Sequence, residues 1–242
     1  MEAHFDFRVV FEPEDYLYLY RDALTKDRTW KELEFLVEKL ELKSPIKILD
    51  LACGYGRHSL AKLGHQITGV DVTQGFLDIA KRDAREKVTV EYIKKREISF
   101  KEEFDRALFG SFGYFDDEEN LRVLKNVSDA LKKGGIFCFE ISNRNFFLKN
   151  LLPYTVVEKG SDLMIDRNYF DSLTGRFYNM RIVIRDGVRK DKPFFVRLYN
   201  FNEIKDLLDR AGLKVHSVYR DWKAVPFTHD SKVMIIIAKR EV

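Results

Sequence analysis

Two carboxylates, Asp50 and Asp71, stand 21 residues apart, each closing an apolar run, with glycines at 54 and 56 between them. The string Ile48-Leu49-Asp50-Leu51-Ala52-Cys53-Gly54-Tyr55-Gly56-Arg57 reads as a short buried strand running into a glycine turn. Glycine lets a backbone turn tightly and come close to a ligand, and in an open α/β sheet ligands lie in the crevice beyond the carboxyl ends of the strands. An acid ending the next strand, Gln66-Ile67-Thr68-Gly69-Val70-Asp71, can accept hydrogen bonds from both hydroxyls of a ribose. Together they predict a nucleoside-containing cofactor. A dinucleotide fingerprint would ask for Gly or Ala at position 59, where Ser59 stands, and would have no need of an acid at position 50. A nucleoside triphosphate would ask for GxxxxGK[ST], which does not occur. Asp50 discriminates, because a carboxylate beside the turn suits a ligand bearing an ammonium group and a sulfonium.

These residues need a scaffold, and the hydrophobic periodicity supplies one. Trp30, Leu33, Leu36, Val37 and Leu40 recur at helical spacing between Asp27 and Leu42, ahead of the first strand. After Asp71 the chain continues as a helix near Gln74 to Arg85, a strand near Val88 to Ile93 and another near Asp105 to Phe109. A helix opened by Asp116-Asp117-Glu118, with Leu121, Leu124, Val127 and Leu131 on one face, precedes the strand Ile136 to Ile141. Such alternation means right-handed crossovers and a parallel sheet covered on both faces. The crossover from Ala52 to His65 has 14 residues, just enough for a parallel connection, with a short helix from Arg57 to Leu63. Beyond Ser142 the pattern changes. Met164–Phe170, Phe177–Arg185 and Phe194–Tyr199 are strand-like, with Asp186-Gly187 as a hairpin turn, so residues 161–200 read as an antiparallel insertion. Asn202 is placed as the cap of a helix carrying Ile204, Leu207, Leu208 and Ala211, followed by the last strands.

The balance of 42 Lys+Arg against 39 Asp+Glu is too mild to argue for nucleic acid by itself. A 45% hydrophobic share with 20 Phe, 11 Tyr and 2 Trp builds a sizeable core and excludes a disordered chain. No apolar run approaches a membrane span and no leader-like stretch opens the sequence, so a single soluble cytoplasmic domain over residues 1–242 is expected, with no membrane contact. Cys53 and Cys138 offer neither a disulfide framework nor zinc-ligand spacing, and no metal site is expected. A 33% charged share with only Gln66 and Gln74 as glutamines leans toward a heat-adapted source.

The motif from Asp50 to Arg57, the acid Asp71, the run Phe109-Gly110-Ser111-Phe112-Gly113-Tyr114-Phe115 after the fourth strand and the Leu131-Lys132-Lys133-Gly134-Gly135 turn together resemble the class I S-adenosylmethionine-dependent methyltransferases. The resemblance covers roughly residues 28 to 142 and 200 to 240. It implies a Rossmann-like, doubly wound, seven-stranded and mostly parallel sheet with the antiparallel insertion after the fifth strand. It implies S-adenosyl-L-methionine as cofactor, with Asp50 at the methionine ammonium and Ala52, Cys53, Gly54, Gly56 and Arg57 along the methionine portion. Asp71 would bind the ribose, Val72 and Phe76 would pack near adenine or ribose, and Phe109 would line the site. Similar proteins often carry an acid for the adenine amino group where this chain reads Lys94-Lys95-Arg96-Glu97-Ile98, so Glu97, Ile98 and the Arg96 backbone become the adenine candidates. The resemblance also lays residues 1–27 over the cofactor as a lid, with Tyr16 or Tyr20 offering an aromatic face to the sulfonium.

Methyl acceptors sit beyond the fourth strand in this fold. The Asn-Pro-Pro-Tyr string of enzymes that methylate planar amino nitrogens is missing there, which favours a small molecule with Ser111 and Phe112 beside it. In-line transfer needs alignment and exclusion of water, and a base if the acceptor is a hydroxyl or a protonated amine; Tyr114, Glu140 and His229 are the candidates. Residues 161–200 hold eight cations against five Asp. Alternating Arg on such a sheet reads as a solvent face, or else Arg181 and Arg185 form a clamp for an anionic acceptor or RNA. An RNA or protein methyltransferase, or a non-catalytic cofactor-binding subunit, remains the alternative, and the state is monomer or homodimer.

Overall fold

The computed structural model describes residues 6–20, 22, 25–56, 63–83, 88–92, 97–110 and 112–241. In Lys47–Leu51 (β1), Ile48, Leu49 and Leu51 are wholly buried, as a central strand covered on both faces requires. It pairs in parallel with Gln66–Asp71 (β2) and Phe104–Phe109 (β4). Val88–Tyr92 (β3) extends the parallel array beyond β2, and Leu131–Ser142 (β5) beyond β4. The chain's last strands turn this into a mixed sheet: Val233–Arg240 (β11) runs antiparallel to β5, and Leu213–Tyr219 (β10) antiparallel to β11. The sheet order is β10-β11-β5-β4-β1-β2-β3. Order reverses around β1 and β4, so a crevice opens where their carboxyl ends diverge.

Helices cover both faces. Phe7–Val10 (α1) and Pro13–Tyr20 (α2) lead to Lys26–Lys39 (α3), capped by Thr25, whose side chain accepts from the Arg28 N–H. The α3 helix buries Phe35 and Leu36, with Leu40 just past it, against Ile48, Leu108, Ile235 and Ile237. Trp30, expected on that face, is 61% exposed; Phe35 takes the core position and meets Trp222 and Tyr219 edge-on. On the other face Asp117–Ala130 (α5), capped by Asp116, and Phe201–Arg210 (α7) bury Leu124, Val127, Ile204 and Leu208 against Phe137 and Phe139. The cap of α7 is Asn200 rather than Asn202: its side chain accepts from the Glu203 N–H while Glu203 accepts from the Asn200 N–H, a reciprocal box that Asn202 cannot form. Gln74–Asp83 (α4) completes the β2–β3 crossover. The short helix expected over Arg57 to Leu63 lies almost wholly outside the described residues.

Between β5 and α7, after a short helix Arg144–Lys149 (α6), stands a separate antiparallel sheet of four strands: Tyr154–Lys159 (β6), Asp162–Asp171 (β7), Arg176–Arg185 (β8) and Val188–Arg197 (β9). It starts earlier than residue 161 because β6, rich in exposed apolar residues, pairs with β7 as an edge. Asp186 and Gly187 both have positive φ, the tight turn that suits a twisted hairpin. This sheet joins the main one where the Gly113 carbonyl accepts from the Arg197 N–H at 2.6 Å. A Cβ on Gly113 would sit 2.5 Å from the Arg197 carbonyl oxygen, so only glycine permits that approach. Among the described residues no helix is long and apolar enough to cross a membrane.

Candidate active site

The carboxyl ends of β1, β2, β4 and β5 form the floor of a cavity of about 500 Å³. Asp50, 7% exposed, stands one residue before the end of β1 opposite Gly69, and Asp71, also 7% exposed, ends β2 two positions further along on the same face. Asp71 is held by two backbone donors: its Oδ2 accepts from the Gly54 N–H at 3.0 Å and its Oδ1 from the Thr73 N–H at 2.8 Å. Gly54 has φ of 54°, a conformation that turns its N–H toward the neighbouring strand's acid. The carboxylate is thereby fixed in orientation with further acceptor capacity facing the cavity.

Ala52, Cys53, Gly54, Val72, Phe76, Phe109 and Phe112 line the same cavity. Gly56, Glu97 and Ile98 are not among its lining residues. The Gly56 N–H closes the turn on the Cys53 carbonyl at 3.0 Å. Ile98 packs into the core with Leu49, Val70 and Phe104, while Glu97 is exposed. Arg57, Ser111 and the Arg96 backbone lie outside the described residues.

The roof comes from the N-terminal helices. Phe7, Phe11, Tyr16 and Tyr20 line the cavity, Phe7 and Phe11 meeting Tyr114 edge-on at 5.8 and 5.7 Å and Tyr16 meeting Phe76 at 5.4 Å. The roof is fastened to the antiparallel sheet by charge. Lys192, only 2% exposed, donates to Asp15 at 2.6 Å and to Glu12 at 2.9 Å; Lys190 reaches the same two acids and Arg185 reaches Asp15 at 3.1 Å. Burial pushes the Asp15 carboxyl up, but hydrogen bonds from Lys192 and Lys190 outweigh it and hold it far below the usual carboxylate range.

Arg181, expected to bind acceptor, is corrected by the same geometry. It forms a two-pronged pair with Asp166 at 2.7 and 2.9 Å and donates to the Tyr20 hydroxyl at 2.8 Å. It is a buttress of the roof, and with Arg185 on Asp15 the two do not form an anion clamp in the cavity. His229 is corrected as well. Its side chain is 86% exposed beside Asp230, on the loop between β10 and β11, and it does not line the cavity, whereas Tyr114 and Glu140 do.

Residues beyond the sequence expectations line the cavity too. Arg28 does, on the first turn of α3, donating to Glu32 at 2.8 Å; burial draws its pKa down, but Glu32 and nearby Glu140 more than offset this and keep it charged. Its signal in the sequence was the Arg28/Glu32 spacing on one helix face. Phe7 and Phe11, one helical turn apart, gave a similar one. Tyr199, buried with its hydroxyl donating to Asp117 at 2.7 Å, gave none.

The donor set matches an amino-acid-bearing nucleoside: a carboxylate at the glycine turn, an oriented carboxylate one strand away, a guanidinium across the cavity and aromatic faces above. Residues 48–135 match the model of a methyltransferase domain. Over this stretch the chain is similar to the class I S-adenosylmethionine-dependent methyltransferases. The chain is 26% identical over 191 residues to YqeM of Bacillus subtilis, a protein whose name calls it a methyltransferase, covering 73% of this chain and 76% of that one. An S-adenosylmethionine-dependent methyltransferase from Clostridium acetobutylicum superposes with a TM-score of 0.81 at 20% identity, over 96% of this chain and 99% of the other. The sugar N-methyltransferase KedS8 from a Streptoalloteichus species superposes with a TM-score of 0.71 at 15% identity, over 100% and 97%. S-adenosylmethionine is the methyl donor of the family.

Cys53 lies at the centre of this site, and burial first, then Asp50 and Asp71, push its thiol up. A thiol kept protonated is a poor nucleophile. Cys53→Ala should retain cofactor binding, and iodoacetamide at about pH 8 should label Cys53 about tenfold or more slowly than free cysteine. Labelling as fast as the free amino acid, read by mass spectrometry, would show an activated thiol instead.

Proposed function

We propose that the methyltransferase moves the methyl group of S-adenosylmethionine to a nitrogen or oxygen of a small-molecule acceptor, leaving S-adenosylhomocysteine. The observation that carries this reading is the roofed, aromatic-lined cavity of about 500 Å³, which suits a small ligand rather than a polymer. The sugar N-methyltransferase among its structural relatives supports the same class of acceptor. The cofactor supplies a methyl group on a cationic sulfur, and displacement discharges that sulfur.

The chain's own residues do the rest. Asp50 holds the methionine ammonium, Arg28 the carboxylate and Asp71 the ribose hydroxyls, each a charge-assisted contact. Ala52, Cys53 and Gly54 line the methionine portion, and Val72, Phe76 and Phe109 pack the nucleoside. Tyr16 and Tyr20 turn aromatic faces toward the sulfonium. The helices α1 and α2 act as a lid that the antiparallel sheet holds shut, so water is excluded while acceptor, methyl and sulfur are aligned. Phe112 packs the acceptor, and Tyr114 and Glu140 are the proton acceptors within the cavity.

The test is S-adenosylhomocysteine formation with a panel of amines, phenols and hydroxylated sugars. Turnover with tRNA or protein and with none of the small acceptors would overturn the proposal. Once an acceptor is found, Tyr114→Phe keeps the ring against Phe7 and Phe11, so the affinity for S-adenosylhomocysteine should hold. If the hydroxyl takes the proton, kcat falls on the order of a hundredfold. An unchanged kcat assigns the step to Glu140, and Glu140→Gln then carries the loss.

A further inference from the structure

Helix α2 touches two different bodies through two of its sides. Asp15 and Tyr18, three residues apart, face the antiparallel sheet: Asp15 accepts from Lys192 at 2.6 Å, and the Arg185 guanidinium lies over the Tyr18 ring at 4.7 Å. Pro13 and Tyr16, also three apart, face α4, where Tyr16 meets Phe76 edge-on at 5.4 Å and the Pro13 ring rests on Gly75. A Cβ on Gly75 would stand 2.8 Å from Pro13 Cγ and 3.8 Å from Pro13 Cβ. Carbon atoms in contact settle at about 3.5–4.0 Å, so a side chain at 75 would drive the ring back by roughly 0.7 Å. The backbone at Gly75 does not itself require glycine: its φ is not positive, and in the first turn of α4 alanine is the better helix former. A long side chain could swing its tip aside, but the Pro13 ring is closed onto the backbone nitrogen, so the start of α2 has to move with it.

We propose that Gly75 is a positioning residue for the reaction: it is the seat on which the lid closes, and the seam between Pro13 and Gly75 is where the cofactor enters and leaves. The two sides of α2 differ in strength, which decides the one that parts. Toward the antiparallel sheet the ties are charges, with Asp15 and Lys192 each 2% exposed, and separating them would strand a buried ion. Toward α4 they are a ring on a glycine and an aromatic edge, which part without uncovering a charge. The lid therefore turns on its latch and opens along α4. That seam borders the cofactor half of the cavity, because Thr73, whose N–H holds Asp71, and Phe76 lie on either side of Gly75 and both line it. Gly75 itself does not line the cavity and acts through Pro13, a role that rests on the cofactor reading given above.

Gly75→Ala should speed S-adenosylhomocysteine dissociation about tenfold, and hydrogen exchange of the α2 amides in the free protein by a similar factor. Its Tm should stay within about 2 °C of wild type, because the latch is kept. Adding Pro13→Ala removes Cγ and Cδ, leaves the nearest carbon at 3.8 Å and should bring both rates back to within about threefold of wild type. Should Gly75→Ala fail to fold, Pro13→Cys with Gly75→Cys decides, since a Cβ to Cβ distance of 3.8 Å suits a disulfide. Oxidised, that protein should exchange S-adenosylhomocysteine at least about tenfold more slowly than wild type treated alike, and reduction should restore exchange. Wild-type rates in Gly75→Ala overturn the role, as does a Tm lowered with dissociation unchanged, or an oxidised double variant that exchanges ligand as fast as wild type. A wild type that binds no S-adenosylhomocysteine, while Gly75→Ala still raises α2 exchange, would sink the cofactor reading and keep the seat.

Discussion

Asp71→Ala should bind S-adenosylhomocysteine at least about a hundredfold more weakly than the wild type, a loss on the order of 3 kcal/mol. The size follows from what one carboxylate does. It accepts the Gly54 and Thr73 N–H groups at 3.0 and 2.8 Å, which fixes both oxygens, and in the proposed reading it takes the ribose hydroxyls of the ligand. Alanine removes the proposed acceptors for the hydroxyls and also frees the glycine turn held by the Gly54 N–H. Hydrogen bonds to a charged group contribute about 1.5–3 kcal/mol each, so losing a pair passes the hundredfold mark. Asp71→Asn keeps one carbonyl acceptor and should fall between the two. Calorimetric titration reads all three proteins, with circular dichroism confirming that each is folded. Affinity within about threefold of wild type in the alanine variant would remove Asp71 from the site.

The second large effect lies outside the cavity. Asp15→Ala should cost about 3 kcal/mol and lower Tm by roughly 5–10 °C, because Lys192 then keeps its buried charge with Glu12 alone. The loss should also loosen the lid, so that S-adenosylhomocysteine dissociates faster although nothing in the cavity has been changed. A compensating variant separates charge from packing: Asp15→Leu with Lys192→Met removes both buried charges and should recover most of the stability. The pH dependence has a definite sign. The carboxyl of Asp15 is depressed in the folded protein, so its contribution is fully present above its ordinary value of 3.8 and is lost as pH falls below that toward the folded value. The gap between wild type and Asp15→Ala should therefore be constant from about pH 7 to about pH 5 and shrink below about pH 4. A thermal-shift series checks it, and equal Tm for the two proteins near neutrality would refute the latch.

The strand, turn and acid sequence from Ile48 to Asp71 was legible because the turn and both carboxylates sit within a short stretch of chain, where backbone rules act locally. Glycine spacing and β-branched runs fix how the crevice is made, and with it most of the cofactor side. The cap of α7 was equally local: Asn200 and Glu203 stand at box spacing, and choosing Asn202 overlooked it.

The sequence by itself determined the alternation of strands and helices, the glycine turn after β1, and the two carboxylates, Asp50 and Asp71, beside the crevice. The tertiary structure decided what the charges of the second sheet are for. Alternation tells that Arg181, Arg185, Lys190 and Lys192 share a face, but a cation's role depends on the partner that desolvates it. Asp15 and Lys192 are 177 residues apart, and no local rule pairs them. The same physics explains His229 and Tyr114: both are plausible proton acceptors by type, and only the folded chain places one in solvent and the other under Phe7 and Phe11. Local sequence sets backbone shape through sterics and hydrogen bonding, whereas burial and pairing of side chains belong to the assembled fold.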